Sequence, residues 1–215
     1  MKQSKWKEIL TSNQMFIVYI IVVLCIAISM KTPAFAEVST IITLARALLV
    51  TLCFAICEMV VIISGGIDVS FPAIACASLY IPICVFKEND IDNVVLAFVF
   101  AAAIGLVIGI INAVLISLLQ IPPLIATLGV SSITQGMLLT FFGTRQISRL
   151  PSTIAALNKV YLFTYQSKAG NNYSMTALIL VPIILYIVVY IVLKYTMLGR
   201  GIYAIGGDAN AARIA

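Results

Sequence analysis

Apolar residues fall in long runs separated by short polar breaks: 15–30, 41–63, 69–86, 94–119, 124–142 and 176–193. Their lengths approach or exceed the roughly 20 residues a helix needs to cross a bilayer. They lack the alternating pattern of outer-membrane barrel strands. In hydrocarbon an unpaired backbone group costs several kcal/mol, so spanning segments pair their backbone internally. The pattern predicts an all-α fold, a polytopic transmembrane helical bundle of about six spans. It divides the chain into a basic tail (1–14), a transmembrane domain (15–193) and a polar end segment (194–215). The polar stretch 143–174 is expected to hold a short amphipathic helix near 152–163.

The sharpest break is Ser64-Gly65-Gly66-Ile67-Asp68-Val69-Ser70. A helix that stops at two glycines frees backbone groups that protein or water must satisfy. Two readings coexist: a tight turn with Asp68 capping the next helix, and a backbone break beside a solute pathway. Glu58, about a turn and a half upstream, and Arg46 lie about 18 Å apart along one helix, too far to pair. Each sits near an end of its run, where snorkelling is the simpler account, and Glu58 is the better functional candidate.

The fourth run repeats small residues every four positions, Ala101, Gly105, Gly109, Ala113 and Ser117, the pattern of close helix packing in membranes. Asn112 lies beside that seam and is costly in lipid, so it should face protein or a polar path. Ile121-Pro122-Pro123 stops the run. In the fifth run Thr127, Ser131 and Gln135 share one face, with Thr134 beside them. That face either bonds neighbouring helices or lines a route for a polar, uncharged solute. Pro182 predicts a kink in the sixth run.

Composition agrees: 62% of the 215 residues are hydrophobic and 10% charged, against about 45–50% apolar and about 25% charged in soluble domains. The formal charge is +5, but the basic residues form no stripe, which argues against nucleic acid and for topology signals. Lys2, Lys5, Lys7 and Trp6, with Lys194, Arg200 and Arg213, favour the cytoplasm. The acidic 87–93 loop fits outside. The 143–174 loop, with Arg145, Arg149, Lys159 and Lys168, then lies outside against the positive-inside rule. Both ends are expected in the cytoplasm, with an uncleaved first span in the inner membrane. The five cysteines sit inside apolar runs and the chain has no histidine, so neither a metal centre nor a disulfide framework is expected. No cofactor is expected. With no phosphate-binding glycine loop and no nucleophile–base pair the chain is not expected to be an enzyme, and an energy-driven role needs a partner.

Three blocks carry a family resemblance. Residues 64–70 resemble the Gly-Gly-Ile-Asp-Leu-Ser signature of ribose-type permeases, the membrane subunits of ABC importers for ribose and similar sugars. Ile121-Pro122-Pro123-Leu124-Ile125-Ala126-Thr127-Leu128-Gly129 resembles that family's Pro-Pro-Phe-Ile-Ala-Thr-Leu-Gly block. Residues 198–207, with Ala211-Ala212-Arg213, resemble its cytoplasmic coupling segment, and 109–113 a weaker Gly-x-x-Asn-Gly block. The chain departs at Phe71-Pro72, where the family continues Val-Gly, and at Ala113, where it has glycine. The resemblance implies the N-terminal part of a roughly ten-span permease, truncated within the coupling segment.

The resemblance also implies partners: a cytoplasmic ATPase subunit, an extracytoplasmic sugar-binding protein and a second permease copy, in a homo- or heterodimer. Gly65, Gly66, Asp68, Ser70 and Glu58 form the expected gating motif. Asn112, Thr127, Ser131 and Gln135 are the candidate substrate pathway. Gly199, Arg200, Tyr203, Gly206, Gly207, Asp208, Ala211 and Arg213 are the candidate ATPase-coupling residues, with a short helix expected at 209–215. The alternatives are a permease for a nucleoside or autoinducer, an ATP-independent carrier or channel, and a non-transporting scaffold.

Overall fold

The computed structural model describes residues 12–144, 147, 150–167 and 170–208. The apolar runs form helices, as the pattern predicts: α1 (Asn13–Lys31), α2 (Val38–Ile63), α3 (Phe71–Glu88), α4 (Val94–Ala113), α5 (Pro123–Phe142) and α7 (Leu180–Tyr195). Five of these stretches are long and apolar enough to cross a membrane, and Met15–Lys31 is a shorter apolar helix. Two elements follow from the polar stretches: α6 (Ser152–Leu157) and α8 (Met197–Gly207). Residues 1–11 of the basic tail with Trp6, then Arg145, Arg149 and Lys168, and the expected helix at 209–215 with Ala211 and Arg213, lie outside the described residues.

Contacts divide the chain into two compact units, Met1–Ala47 with Leu162–Met175, and Leu48–Tyr161 with Thr176–Ala215. In the first, α1 is followed by a 3-10 turn, Pro33–Ala36, that leads into the start of α2. Two strands, β1 (Tyr161–Gln166) and β2 (Asn172–Thr176), pair as a two-stranded sheet. The expected amphipathic helix therefore stops at Leu157 and gives way to a strand. Tyr161, Phe163 and Tyr165 alternate with Leu162 and Thr164, a period-2 run of strand formers, and Gly170 (φ 82°) supplies the left-handed turn. Arg46 Nη1 donates to the Ser174 carbonyl at 2.9 Å. Glu37 Oε2 accepts from the hydroxyls of Ser39 (3.1 Å) and Ser167 (2.9 Å).

In the second unit α3 packs against α4 and α5. Its buried face is mostly small, Ala73 and Ala77, with Ile83 and Phe86 towards the end. Gly105 of α4 sits where a methyl would lie 3.5 Å from Ser78 Oγ, and Phe86 meets Phe100 edge-on at 5.7 Å. The four-residue seam holds only in part. Ala101 and Gly105 are half-buried, whereas Gly109, Ala113 and Ser117 are exposed. A four-residue repeat overshoots the 3.6-residue turn by about 40° per step, so the seam rotates off the contact. The face actually used runs from Ala97 through Gly105 to Asn112, both ends of which are buried. Beyond Ala113 the helix widens into a π-helical turn, Val114–Leu118, before Gln120 (φ 55°) and the two prolines, with Pro123 opening α5.

Pro182 does not kink α7. The helix begins at Leu180, after a 3-10 turn at Ala177–Ile179, so the proline falls in its first turn, where its missing N–H costs nothing. At the α7–α8 corner the Thr196 hydroxyl accepts from the Gly199 amide at 3.2 Å. A methyl on Gly199 would collide with the Val192 and Leu193 carbonyls, so glycine is required there.

Asp92, in the loop between α3 and α4, caps α6. One carboxylate oxygen accepts from the amide (3.1 Å) and hydroxyl of Ser152, the other from the amide (3.0 Å) and hydroxyl of Thr153. These bonds, the Ser152 hydroxyl foremost, lower its carboxyl from 3.8 to about 2. The fold thus prefers the ionised form. The tie is complete above about pH 4 and is lost as pH falls towards about 2. Amide exchange of residues 152–157, corrected for intrinsic rate, is expected to rise between pH 4 and 2 in the native protein. In Asp92→Asn it is expected to be high already at neutral pH and flat across that range; equal protection in both proteins would refute the cap.

Candidate functional site

The break at 64–70 is built from its backbone outward. Helix α2 ends in a paired-glycine stop: the Gly66 amide donates to the Val61 carbonyl at 3.1 Å and the Gly65 amide to Ile62 at 3.0 Å, with Gly65 at φ 82°. This is the Schellman arrangement, and the left-handed position is the one that favours glycine. Helix α3 starts only at Phe71, with Ser70 as its N-cap and Pro72 in its first turn. Asp68 is therefore not the N-cap. It sits two residues earlier, where its Oδ1 accepts from the Ser70 amide (2.7 Å) and hydroxyl (2.6 Å).

Three consecutive amides between the helices have no backbone acceptor, and each finds a side chain. Asp68 N–H donates to Glu58 Oε1 at 3.3 Å, Val69 N–H to Thr127 Oγ1 at 3.3 Å, and Ser70 N–H to Asp68. The acceptors come from α2, α5 and the loop itself. Helix α4 adds the fourth tie: Asn112 Nδ2 donates to Ser70 Oγ at 2.7 Å. Thr127 Oγ1 in turn donates to the Pro123 carbonyl at 2.9 Å. Ser70 is fully buried, Thr127 and Asn112 nearly so. Asn112 Oδ1 is buried without a hydrogen-bond partner, an acceptor of the kind that ordinarily holds a water or a ligand group.

Helix α8 closes on the same turn. A methyl on Gly206 would collide with the Ile63 carbonyl oxygen, and one on Gly65 would lie 3.5 Å from Gly206 Cα. Backbone meets backbone at two glycines. Gly201 and Gly207, by contrast, have open space around them. Arg200 and Tyr203 of α8 line a separate groove with α2 and α7, and Asp208 ends the helix, its amide donating to Ala204 at 3.1 Å.

The predicted pathway residues thus fall into two groups. Asn112 and Thr127 hold the broken segment. Ser131 and Gln135 lie further along α5, half-buried and exposed, with Gln135 Nε2 donating to Ser131 Oγ at 3.5 Å. A cavity of about 560 Å³ between α3, α4 and α5 is apolar apart from Thr134, and none of the four lines it. Sequence reasoning missed the pairing of Gly206 with Gly65 and of Asn112 with Ser70. The residue types were visible, but partners 42 positions apart or more carry no local signal. No group of three or more metal-binding side chains occurs among the described residues.

A family model described as "Branched-chain amino acid transport system / permease component" matches residues 11–215. The chain is 27% identical over 71% of its length to the galactose/methyl galactoside import permease protein MglC of Salmonella typhimurium, and 28% identical over the same share to that of Escherichia coli. In both, 46% of the relative is covered. It is 29% identical over 56% of its length to the autoinducer 2 import system permease protein LsrC of Yersinia pseudotuberculosis, covering 32% of that protein. The chain spans less than half the length of these curated relatives. No solved structure matches it.

Thr127→Val removes the acceptor of the Val69 amide while keeping the side chain's shape. It is expected to destabilise the purified protein by about 1–3 kcal/mol, the cost of an unmet buried donor, with Thr127→Ser close to native. Gln135→Leu, on an exposed position, should change stability by less than about 0.5 kcal/mol. Chemical unfolding in detergent reads both; a Thr127→Val protein as stable as the native one would contradict the clamp.

Proposed function

The chain belongs to the branched-chain amino acid transport system permease component family, and from that premise we propose that it forms the membrane permease component of an ATP-driven importer for a ribose-like or other simple sugar. The observation that carries the reading is the seating of α8 on the broken turn through Gly206 and Gly65. On this proposal a cytoplasmic ATPase subunit docks on the segment beginning at α8. A displacement of α8 there pushes directly on 64–70, and through Glu58, Thr127 and Asn112 on α2, α5 and α4. Chemical energy spent outside the membrane thereby moves the helices that border the solute route.

An extracytoplasmic binding protein delivers the solute, and a second permease copy completes the pathway. The site lies in the inner membrane with both the N-terminus and residue 215 in the cytoplasm. Ser131 and Gln135 are the hydroxyl and amide offered to a polyhydroxylated solute, with the free Asn112 acceptor beside the loop. The relatives named for galactose favour a sugar; those named for autoinducer 2 support a second reading, a small polar signal molecule taken up by the same route.

In the complete importer, Gly206→Ala is expected to insert normally yet hydrolyse ATP without solute uptake, whereas Gly201→Ala couples as the native protein does. Coupling retained in Gly206→Ala would count against transmission through this contact. Gln135→Leu should raise the solute concentration for half-maximal uptake with little change in stability; an unchanged uptake curve would assign that amide to helix bonding.

A further inference from the structure

The groove shared by α2, α7 and α8 joins Arg200 and Tyr203, which the transport reading assigns to ATPase coupling, to residues of α2 and α7 that it leaves unassigned. Its volume is about 500 Å³, and its floor is apolar, Met59, Ile63 and Leu193. Its rim carries Lys194, Arg200 and three tyrosines, Tyr186, Tyr190 and Tyr203, and no carboxylate lines it among the described residues. Lys194 is held in place by its neighbours. Its Nζ donates to Tyr190 Oη at 2.6 Å and lies 5.1 Å from the Tyr190 ring and 5.3 Å from the Tyr195 ring. Both cations are exposed. Two positive charges within one groove repel, and neither ring nor hydroxyl neutralises them.

Lysine and tyrosine at the last turn of a 16-residue apolar helix mark the depth of lipid headgroups. A groove at that depth, apolar below and cationic above, matches the two parts of an anionic phospholipid. We propose that this groove binds the phosphate of an anionic phospholipid between Lys194 and Arg200, with an acyl chain against Met59, Ile63 and Leu193. The tyrosine hydroxyls supply donors to the headgroup. Ile63 is also the residue whose carbonyl meets Gly206, so the bound lipid fills space beside the α8 contact and seats that helix on the bundle. The site rests on the membrane placement of the chain and does not depend on the identity of the transported solute.

The test uses the full-length permease in detergent, titrated with phosphatidylglycerol or, as control, phosphatidylcholine, with thermal stability and native mass spectrometry as readouts. Phosphatidylglycerol is expected to stabilise the native protein and to stay bound, and phosphatidylcholine to do neither. At about 1 kcal/mol for each cation near a membrane surface, the double variant Lys194→Gln/Arg200→Gln should bind phosphatidylglycerol about thirtyfold more weakly, and Lys194→Arg should retain it. Equal effects of the two lipids on the native protein, or equal phosphatidylglycerol retention by the double variant, would overturn the proposal. So would a double variant that keeps its lipid but no longer holds the ATPase subunit, since the charges would then serve a protein partner.

Discussion

Three adjacent amides, those of Asp68, Val69 and Ser70, dictate the arrangement around them. A chain that leaves one helix and enters the next within a few residues has no backbone acceptor to give them, and an unmet donor away from water costs about 1–3 kcal/mol. Each is met by a side chain, from Glu58, Thr127 and Asp68. That requirement draws α2 and α5 to the loop, and the Asn112 bond to Ser70 brings α4. Polar residues that look expensive in apolar helices are here the acceptors and donors that a non-helical segment demands.

The glycines follow from the same constraint. Gly65 adopts a left-handed conformation to end α2, and the turn it makes leaves carbonyls and Cα atoms uncovered by side chains. Gly206 can then come down on Ile63 and Gly65 with no atom between the backbones. Contact of this kind is stiff: there is no flexible side chain to absorb a small displacement. On the proposed function, a helix joined to a loop in this way would pass a displacement on to it. Gly199 plays the parallel part at the α7–α8 corner, where any Cβ would strike the Val192 and Leu193 carbonyls.

Much of this fold was legible beforehand because lipid imposes a simple rule, and long apolar runs become helices with ends near those expected. The break at 64–70 was legible for the same reason, since two glycines and an aspartate between such runs admit few other readings. The misreadings have local causes. Residues 161–163 were expected in a helix, but their alternation of aromatics with other strand formers won. Pro182 was expected to kink a helix that in fact starts there. The small-residue seam ignored the mismatch between a four-residue repeat and a 3.6-residue turn. Asp68 was assigned to the helix cap when its carboxylate closes the turn before it. What the sequence could not reveal was which distant residue meets which: Ser70 with Asn112, Val69 with Thr127, Gly65 with Gly206. The division of Thr127 from Gln135, which share a helix face, also depends on that.

The central claim is that side chains, in place of backbone partners, hold the segment between α2 and α3. Amide exchange measured residue by residue on the full-length protein in lipid nanodiscs addresses it most directly. The account predicts that the Asp68, Val69 and Ser70 amides exchange as slowly as those in the middle of α3. Exchange at the rate of an exposed loop would contradict it.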